Sequence, residues 1–331
     1  MPRPSEDELI STFFAPLAGP GAFGLRDDAA ILAEAADRHI VVTKDMLTAG
    51  VHFFADDPPG AVARKALRVN LSDLAAKGAE PRGFLLGLAM PEDWTADWLA
   101  GFVKGLGEDA AAYKCPLLGG DTVKCLGPLV ISITALGAVP AQKMVRREGV
   151  AAGDLLYVSG TIGDAALGLR LRLDRARAAG WTKRVSQADA AYLAGRYLLP
   201  QPRLSLSHAL RTHAHAAMDI SDGLAGDLAK MLQLTGMTAR VMAADVPLSE
   251  AASRLVRHSP GLLEPILTGG DDYELLCAVP PSQSAAFEAE ANGAGIRVRA
   301  ISVAEPGRAP PSFKDGKGRS LIFAQPSFRH F

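Results

Sequence analysis

Six short acidic motifs, each set among small residues, run the length of the chain. They are Arg26-Asp27-Asp28-Ala29-Ala30, Thr43-Lys44-Asp45, Ser72-Asp73-Leu74-Ala75-Ala76, Gly119-Gly120-Asp121-Thr122, Asp219-Ile220-Ser221-Asp222-Gly223 and Gly269-Gly270-Asp271-Asp272-Tyr273-Glu274. A fold that gathers them has to compensate their charge, because two carboxylates ~4 Å apart repel by roughly 4 kcal/mol at an effective dielectric of ~20. Cations must then sit among them, and hard oxygen donors suit Mg²⁺, which in turn bridges carboxylates to phosphates. Scattered over a surface, the same residues would serve as turns and helix caps.

The bulk properties narrow the classes. A chain of 331 residues, 48% hydrophobic and 21% charged, is an ordinary globular protein of about two domains. Lys plus Arg (35) nearly cancel Asp plus Glu (36), for a net charge of -1, which argues against a nucleic-acid binder held by a basic surface. Met1 to Ile10 is polar and acidic, without the apolar core of a signal peptide. No stretch approaches the ~18 apolar residues of a membrane span. Cys115, Cys125 and Cys277 form no CxxC pair and are odd in number, as expected of a reduced, cytoplasmic protein with buried thiols.

Apolar periodicity gives the order of elements. Residues 38–54 read as strand, turn, strand, with Ile40-Val41-Val42 before the Gly50 break and Val51-His52-Phe53-Phe54 after it. Asp57-Pro58-Pro59-Gly60 opens a helix to about Lys77, on which Leu67, Leu71 and Leu74 form the apolar stripe and Asn70, Asp73 and Lys77 a neighbouring one. A second helix starts near Glu92 and carries Trp98, Leu99, Phe102, Val103 and Leu106, its tryptophans serving as core or edge packing. Leu129, Ile131, Ile133 and Ala135 alternate along a strand. The polar stretch Gln142 to Glu148 marks a boundary near 140–152, giving domains 1–145 and 146–331. Beyond it come the strand Leu155 to Ser159, a Gly160–Gly163 loop and a helix from Asp164 to about Leu173. A helix from Asp222 to Leu234 follows, with Ser221 as N-cap and Gly236 as its stop, and then a strand from Glu274 to Val279.

The chemistry-bearing residues can be weighed one by one. GxxxxGK[ST], GxGxxG and the HRD and DFG pairings are absent, so any nucleotide is handled through metals. Asp27 and Asp28 point to opposite faces of an extended chain, whereas Thr43 and Asp45, two apart, point the same way and suit one metal. Asp219 and Asp222 bracket a turn into a helix, where one can coordinate while the helix N-terminus faces an anion. Gly119-Gly120 lets the backbone before Asp121 approach a ligand closely. His52, between Val51 and Phe53, reads either as a satisfied edge residue or as a ligand contact. His213 and His215 lack further ligands at zinc spacing. Arg146-Arg147 can grip phosphate bidentately or lie solvated in the linker. No Ser/His/Asp nucleophile arrangement is legible.

Taken in order, Asp27-Asp28-Ala29-Ala30, Asp45-Met46-Leu47 with Gly50-Val51-His52-Phe53, Asn70-Leu71-Ser72-Asp73-Leu74-Ala75-Ala76, Gly119-Gly120-Asp121-Thr122, Asp219-Ile220-Ser221-Asp222-Gly223-Leu224 and Gly270-Asp271-Asp272-Tyr273-Glu274-Leu275 resemble the thiamine-monophosphate kinase family, over nearly the whole chain to Phe328. The resemblance implies the two-domain α/β fold of aminoimidazole ribonucleotide synthetase, with an N-terminal domain that dimerises through its sheet and a C-terminal α/β domain. It implies transfer of the γ-phosphoryl group of ATP to thiamine phosphate, with several Mg²⁺ ions and with K⁺ as a candidate accompanying ion. Metal ligands fall on Asp28, Thr43, Asp45, Asp73, Asp121 and Asp219, with Asp222 holding a further ion and Lys44 standing inside the metal set. ATP contacts fall on Gly120, Asp121, Arg147, Ser221 and Tyr113, and substrate contacts on His52, Asp271 and Phe328. Asp45, Asp121, Arg147 and Asp219 carry the chemistry. Asp219 and Asp222 would close the N-terminal cradle from the second domain, and Asp27, Asp272 and Glu274 keep structural roles.

Four positions depart from the family pattern. Arg26 stands where Gly is usual, Lys44 where Thr is frequent, Asp271 where Glu is commoner, and Phe328 where Trp or Tyr is frequent. The rival readings are another ATP-using enzyme of the same fold, such as aminoimidazole ribonucleotide synthetase or selenide water dikinase, and a non-catalytic metal–nucleotide binding protein. The dikinase should carry a reactive Cys or selenocysteine near the N-terminus, and the first Cys here is Cys115.

Overall fold

A computed structural model describes residues 8, 10–19, 22, 25, 32, 34–176 and 179–328. It divides into two compact units, the first comprising Met1–Leu74 and Ala79–Met144, the second Ala75–Gly78 and Val145–Phe331. The second unit thus takes up Val145 and the last turn of a helix that begins in the first.

The first unit is a four-stranded sheet in the order β1-β4-β2-β3, formed by β1 (Arg38–Thr48), β2 (Glu80–Met90), β3 (Leu117–Lys124) and β4 (Val130–Pro140). Helix α1 (Pro59–Ala76) follows β1, and helix α2 (Ala96–Ala112) joins β2 to β3, the crossover that this parallel pair requires. Alternation along β1 sorts the two faces. Val41 and Leu47 are buried, whereas Ile40, Val42, Lys44 and Met46 are exposed on the other face. Ile131 and Ile133 of β4 and Phe84, Leu86 and Leu88 of β2 line the buried side. One sheet face therefore carries the core and the other lies open.

Two expectations change here. No second strand forms over 51–54. Instead Val51 and His52 N–H groups return to the Thr48 carbonyl, and Gly50 N–H bonds the Phe53 carbonyl at 2.8 Å, closing a tight turn. Helix α2 begins at Ala96 rather than near Glu92, because the Thr95 side chain accepts the Trp98 N–H and caps it. Trp98 stacks on Phe102, with ring centroids 5.2 Å apart.

The second unit holds an antiparallel sheet in the order β10-β5-β9-β6. Its strands are β5 (Leu155–Ser159), β6 (Ala216–Asp219), β9 (Leu275–Val279) and β10 (Val298–Val303); the short β7 (Met237–Thr238) and β8 (Arg240–Met242) lie outside it. Strand β9 is buried at every position, as expected where a sheet is covered on both faces. Leu156, Val158, Met218 and Leu276 face one core with helices α3 (Asp164–Ala176), α4 (Gln187–Leu198) and α6 (Leu224–Gln233). Tyr157, Ala217, Leu275 and Cys277 face the other, with α5 (Ser207–His213) and the helix Ser284–Gly293.

Helix α6 starts at Leu224, not Asp222, and its N-cap is Gly223. Ser221 does not cap it: Gly223 holds the cap position with no side-chain hydrogen bond, and the carboxylate of Asp227, inside the helix, accepts the Ser221 and Asp222 N–H groups that precede it. Gly236, at φ 66, follows the helix as its stop. Cys115 and Cys277 are buried and free, while Cys125 is partly exposed. Among the described residues no helix is long and apolar enough to cross a membrane.

Candidate active site

In the first unit, Thr43 and Asp45 project from β1 toward α1. The Thr43 hydroxyl donates to the Asp73 carboxylate. The Asp45 N–H, on a strand at the edge of the sheet among the described residues, donates to Asn70 Oδ1 at 3.1 Å. Asn70 is itself held by its amide to the Ala66 carbonyl at 3.0 Å, so α1 presents Asn70 and Asp73 to β1 at a fixed register. Burial, and then the charge of Asp73, push the Asp45 carboxyl up to about 6. Neither carboxylate has an ion-pair partner among the described residues.

Lys44 and Asp121 fall on the opposite, open face. Asp121 aligns with Gly87 of β2, Gly87 with Ser132 of β4, and Ser132 with Met46 of β1. The Lys44 ammonium donates to Ser132 Oγ at 2.7 Å. The Lys44 side chain therefore stands apart from the Thr43–Asp45–Asp73 group, and its ammonium has no lone pair to offer a cation. A cavity of about 820 Å³ on this face is lined by Lys44, Gly120, Asp121, Thr122 and Ser132. Gly120 has a structural reason of its own: a Cβ there would collide with the Leu86 carbonyl of the paired strand.

His52 and Tyr113 lie elsewhere in the same unit. His52 sits in the turn after β1, where its Nδ1 accepts the Thr48 N–H at 3.0 Å, leaving Nε2 to carry the proton of the neutral ring. The buried Lys65 ammonium holds the His52 carbonyl at 2.9 Å. Tyr113 caps the C-terminus of α2 with Arg68 over its ring at 5.6 Å. Asp28 lies outside the described residues.

The second unit gathers Asp219, Ser221, Asp222, Asp271 and Phe328. Asp219 ends β6 and is buried. The loop after it is laced to the loop before β9: Ile220 N–H to the Glu274 carbonyl at 2.8 Å, Tyr273 N–H to the Ile220 carbonyl at 2.9 Å, and Asp271 N–H to the Ser221 carbonyl at 2.9 Å. Phe328 N–H bonds the Asp222 carbonyl at 3.0 Å, and the residue is 47% exposed. Asp271 and Tyr273 sit at φ 72 and 51, a left-handed conformation that a Tyr adopts only under constraint. Arg147 is exposed in the segment entering this unit and makes no ion pair among the described residues.

Glu274 and Asp272, expected from the sequence to be structural, supply the constraint. Glu274, fully buried, receives Arg196 at 2.9 Å, Arg203 Nε at 2.7 Å and the Ser159 hydroxyl at 2.6 Å. Asp272 accepts the Gly163 N–H at 2.7 Å, while its other oxygen is buried without a hydrogen-bond partner, and burial pushes its carboxyl well above the usual range. Asp222 accepts the Lys230 ammonium at 2.5 Å. His213 and His215 are engaged by Glu290 at 3.1 Å and Asp154 at 3.0 Å, as local structure.

The donor set fits a hard divalent cation. Two adjacent carboxylates and a hydroxyl face each other with no counter-charge among the described residues, and burial, with the Asp73 charge second, is why Asp45 resists ionisation. Among the described residues no group of three or more His, Cys, Asp or Glu is close enough to hold a metal by itself.

Fold and acidic site together define an AIR synthase related protein. Residues 26–139 match the family described as AIR synthase related protein, N-terminal domain, and residues 151–310 match its C-terminal domain. The chain is 42% identical to thiamine-monophosphate kinase of Caulobacter vibrioides, over 97% of this chain and 87% of that one. Thiamine-monophosphate kinase from Stenotrophomonas maltophilia K279a superposes with a TM-score of 0.79 at 37% identity, covering 90% of this chain and 91% of that one. AaThiL complexed with AMPPCP and TMP superposes with a TM-score of 0.76 at 28% identity, covering 100% of both. The chain belongs to the thiamine-monophosphate kinase family.

Proposed function

We propose that this protein transfers the γ-phosphoryl group of ATP directly to thiamine phosphate, giving thiamine diphosphate and ADP. The observation that carries the reading is the ordered set of acidic motifs in a chain 42% identical to a thiamine-monophosphate kinase. The complex of AaThiL with AMPPCP and TMP supports both substrates.

The acceptor is a phosphate oxygen, already anionic, so no strong general base is required. The difficulty is bringing a polyanionic donor and an anionic acceptor into line. Thr43, Asp45 and Asp73 on one face of the first sheet, Asp121 on its other face, and Asp28 and Asp219 would serve as ligands of Mg²⁺ ions, with Asp222 holding a further ion. When bound, Mg²⁺ neutralises the phosphates and stabilises the charge of the transferring group. Gly120, Asp121, Ser221 and Tyr113 contact ATP, and the exposed Arg147 guanidinium grips its phosphates. His52, Asp271 and Phe328 hold thiamine phosphate. Phe328 stacks on a heteroaromatic ring without the polar tip of Trp or Tyr, and Asp271 reaches one methylene less far than Glu. The Lys44 cation, beside Ser132 on the face of Asp121, substitutes for part of a metal's charge.

The exposed Ile40, Val42, Met46, Leu85 and Val123 on the open face of the first sheet supply the surface for a homodimer. A cytoplasmic location accords with free cysteines and with ATP as co-substrate, and K⁺ is the monovalent ion to vary. The test is purified protein with ATP, MgCl₂ and thiamine phosphate, with thiamine diphosphate measured by fluorescence after oxidation. One ADP per thiamine diphosphate is expected. No product over a range of Mg²⁺ and K⁺ defeats the reading.

A further inference from the structure

Asp227 lies in the first turn of α6 with no solvent exposure. One of its carboxylate oxygens accepts the N–H groups of both Ser221 (3.0 Å) and Asp222 (2.9 Å). The other takes the Lys230 ammonium at 2.9 Å, and the same ammonium reaches the Asp222 carboxylate. Gly223, at φ 114 and with no space for a Cβ beside the Thr268 carbonyl, lets the chain turn from this loop into the helix. The loop so held offers its outward carbonyls to the next layer: Ile220 to Tyr273 N–H, Ser221 to Asp271 N–H, and Asp222 to Phe328 N–H.

We infer that Asp227 is a positioning residue for both ligands, fixing Ser221 and Asp222 directly and, through their carbonyls, Asp271 and Phe328. The inference rests on the assignment of Ser221, Asp271 and Phe328 as ligand contacts. The geometry supplies its logic. Asp271 and Tyr273 hold left-handed conformations, which persist only where the surroundings over-determine them, and two of the bonds that hold them end on the loop that Asp227 clamps. Without that carboxylate, two loop N–H groups lose their acceptor and the ladder to 271–273 loses its anchor. A displacement of about 1 Å at reacting groups costs on the order of 100-fold in rate. A purely structural role, an acidic residue favouring the start of α6, predicts no such coupling.

The experiment compares Asp227→Ala and Asp227→Asn by amide hydrogen exchange and by steady-state kinetics at 25 °C. Asp227→Ala should speed exchange at Ser221 and Asp222 and, in step, at Asp271 and Tyr273, while peptides of β5 and β9 stay protected. It should raise KM for ATP and for thiamine phosphate together and lower kcat/KM on the order of 100-fold. Asp227→Asn keeps an oxygen acceptor and should recover part of both effects, with residual loosening because a neutral acceptor is weaker than a charged one. Should the alanine variant fail to fold, the asparagine variant still reads out: unchanged exchange at 221, 222, 271 and 273 with unchanged KM overturns the proposal. Lowered thermal stability with normal KM in the folded fraction also overturns it. If the wild-type protein forms no thiamine diphosphate, the assigned function fails separately, and the exchange measurement still decides whether Asp227 couples the two loops.

Discussion

Asp45→Asn should act in opposite directions on stability and on activity. In the metal-free protein the Asp45 carboxyl is pushed from 3.8 up to about 6 by burial and by Asp73. At about 1.4 kcal/mol for each tenfold, that is about 3 kcal/mol of unfavourable charging at neutral pH, and solvent screening of this partly exposed group lowers it to about 1–2 kcal/mol. The sign follows from proton binding. Between pH 3.8 and about 6 the folded protein holds the Asp45 proton and the unfolded chain releases it, so stability falls as pH rises through this window. Below it the cost vanishes; above about 6 it is complete. The asparagine variant carries no such charge and keeps the Asp45 N–H bond to Asn70. In EDTA at pH 7.5 it should therefore melt higher than wild type, by several degrees at ~2–4 °C per kcal/mol, and the advantage should disappear near pH 4. With Mg²⁺ and ATP present the order should reverse, because only wild type gains the stabilisation of bound ligand. Turnover of the variant should drop by orders of magnitude. An Asp45→Asn protein less stable than wild type in EDTA at pH 7.5 would refute the reasoning.

Three further outcomes are expected. Phe328→Ala should raise KM for thiamine phosphate by up to about tenfold through lost stacking and leave that for ATP nearly unchanged; equal effects on both count against the stacking role. Glu274→Gln strands the Arg196 and Arg203 cations around a neutral amide, and calorimetry should show a loss of about 3–5 kcal/mol; a loss below about 1 kcal/mol would show that the arginines find other partners. Asp121→Asn, on an exposed strand position, should leave the melting temperature within a degree or two of wild type, as surface changes usually do, and cut turnover by orders of magnitude; near-normal activity contradicts its place among the metal ligands.

The acidic motifs were legible because their order survives in the linear sequence, and so were the long amphipathic elements around them. Period-two alternation in Leu129, Ile131, Ile133 and Ala135 and the stripe of Leu67, Leu71 and Leu74 each predict one element and its buried side. The spacing of Thr43 and Asp45 also predicted a shared direction, and both face Asp73. Where prediction failed, a side chain had overridden local propensity. His52 accepting the Thr48 N–H closes a turn where β-branched and aromatic residues suggested a strand, and the N–H groups of Ser221 and Asp222 turn back to the Asp227 carboxylate, so the helix starts two residues later, behind Gly223. The face on which Asp121 lies is set by its alignment through β2 and β4, partners 34 and 11 residues away in sequence, which no local pattern reports. Glu274 and Asp272 were assigned structural roles, but the arginines and the Gly163 N–H that hold them could not be read from composition. Asp28 lies outside the described residues, and its place among the ligands rests on the family resemblance.

The central claim is direct transfer between two phosphates held by metal-bound carboxylates, and a rapid-quench experiment with [γ-³²P]ATP, Mg²⁺ and thiamine phosphate tests it most directly. Label should pass from ATP to thiamine diphosphate with matching rates of loss and gain, and none should remain on denatured protein at any time. Labelled protein that forms first and then chases into product would contradict direct transfer, and label released only as inorganic phosphate would contradict the acceptor.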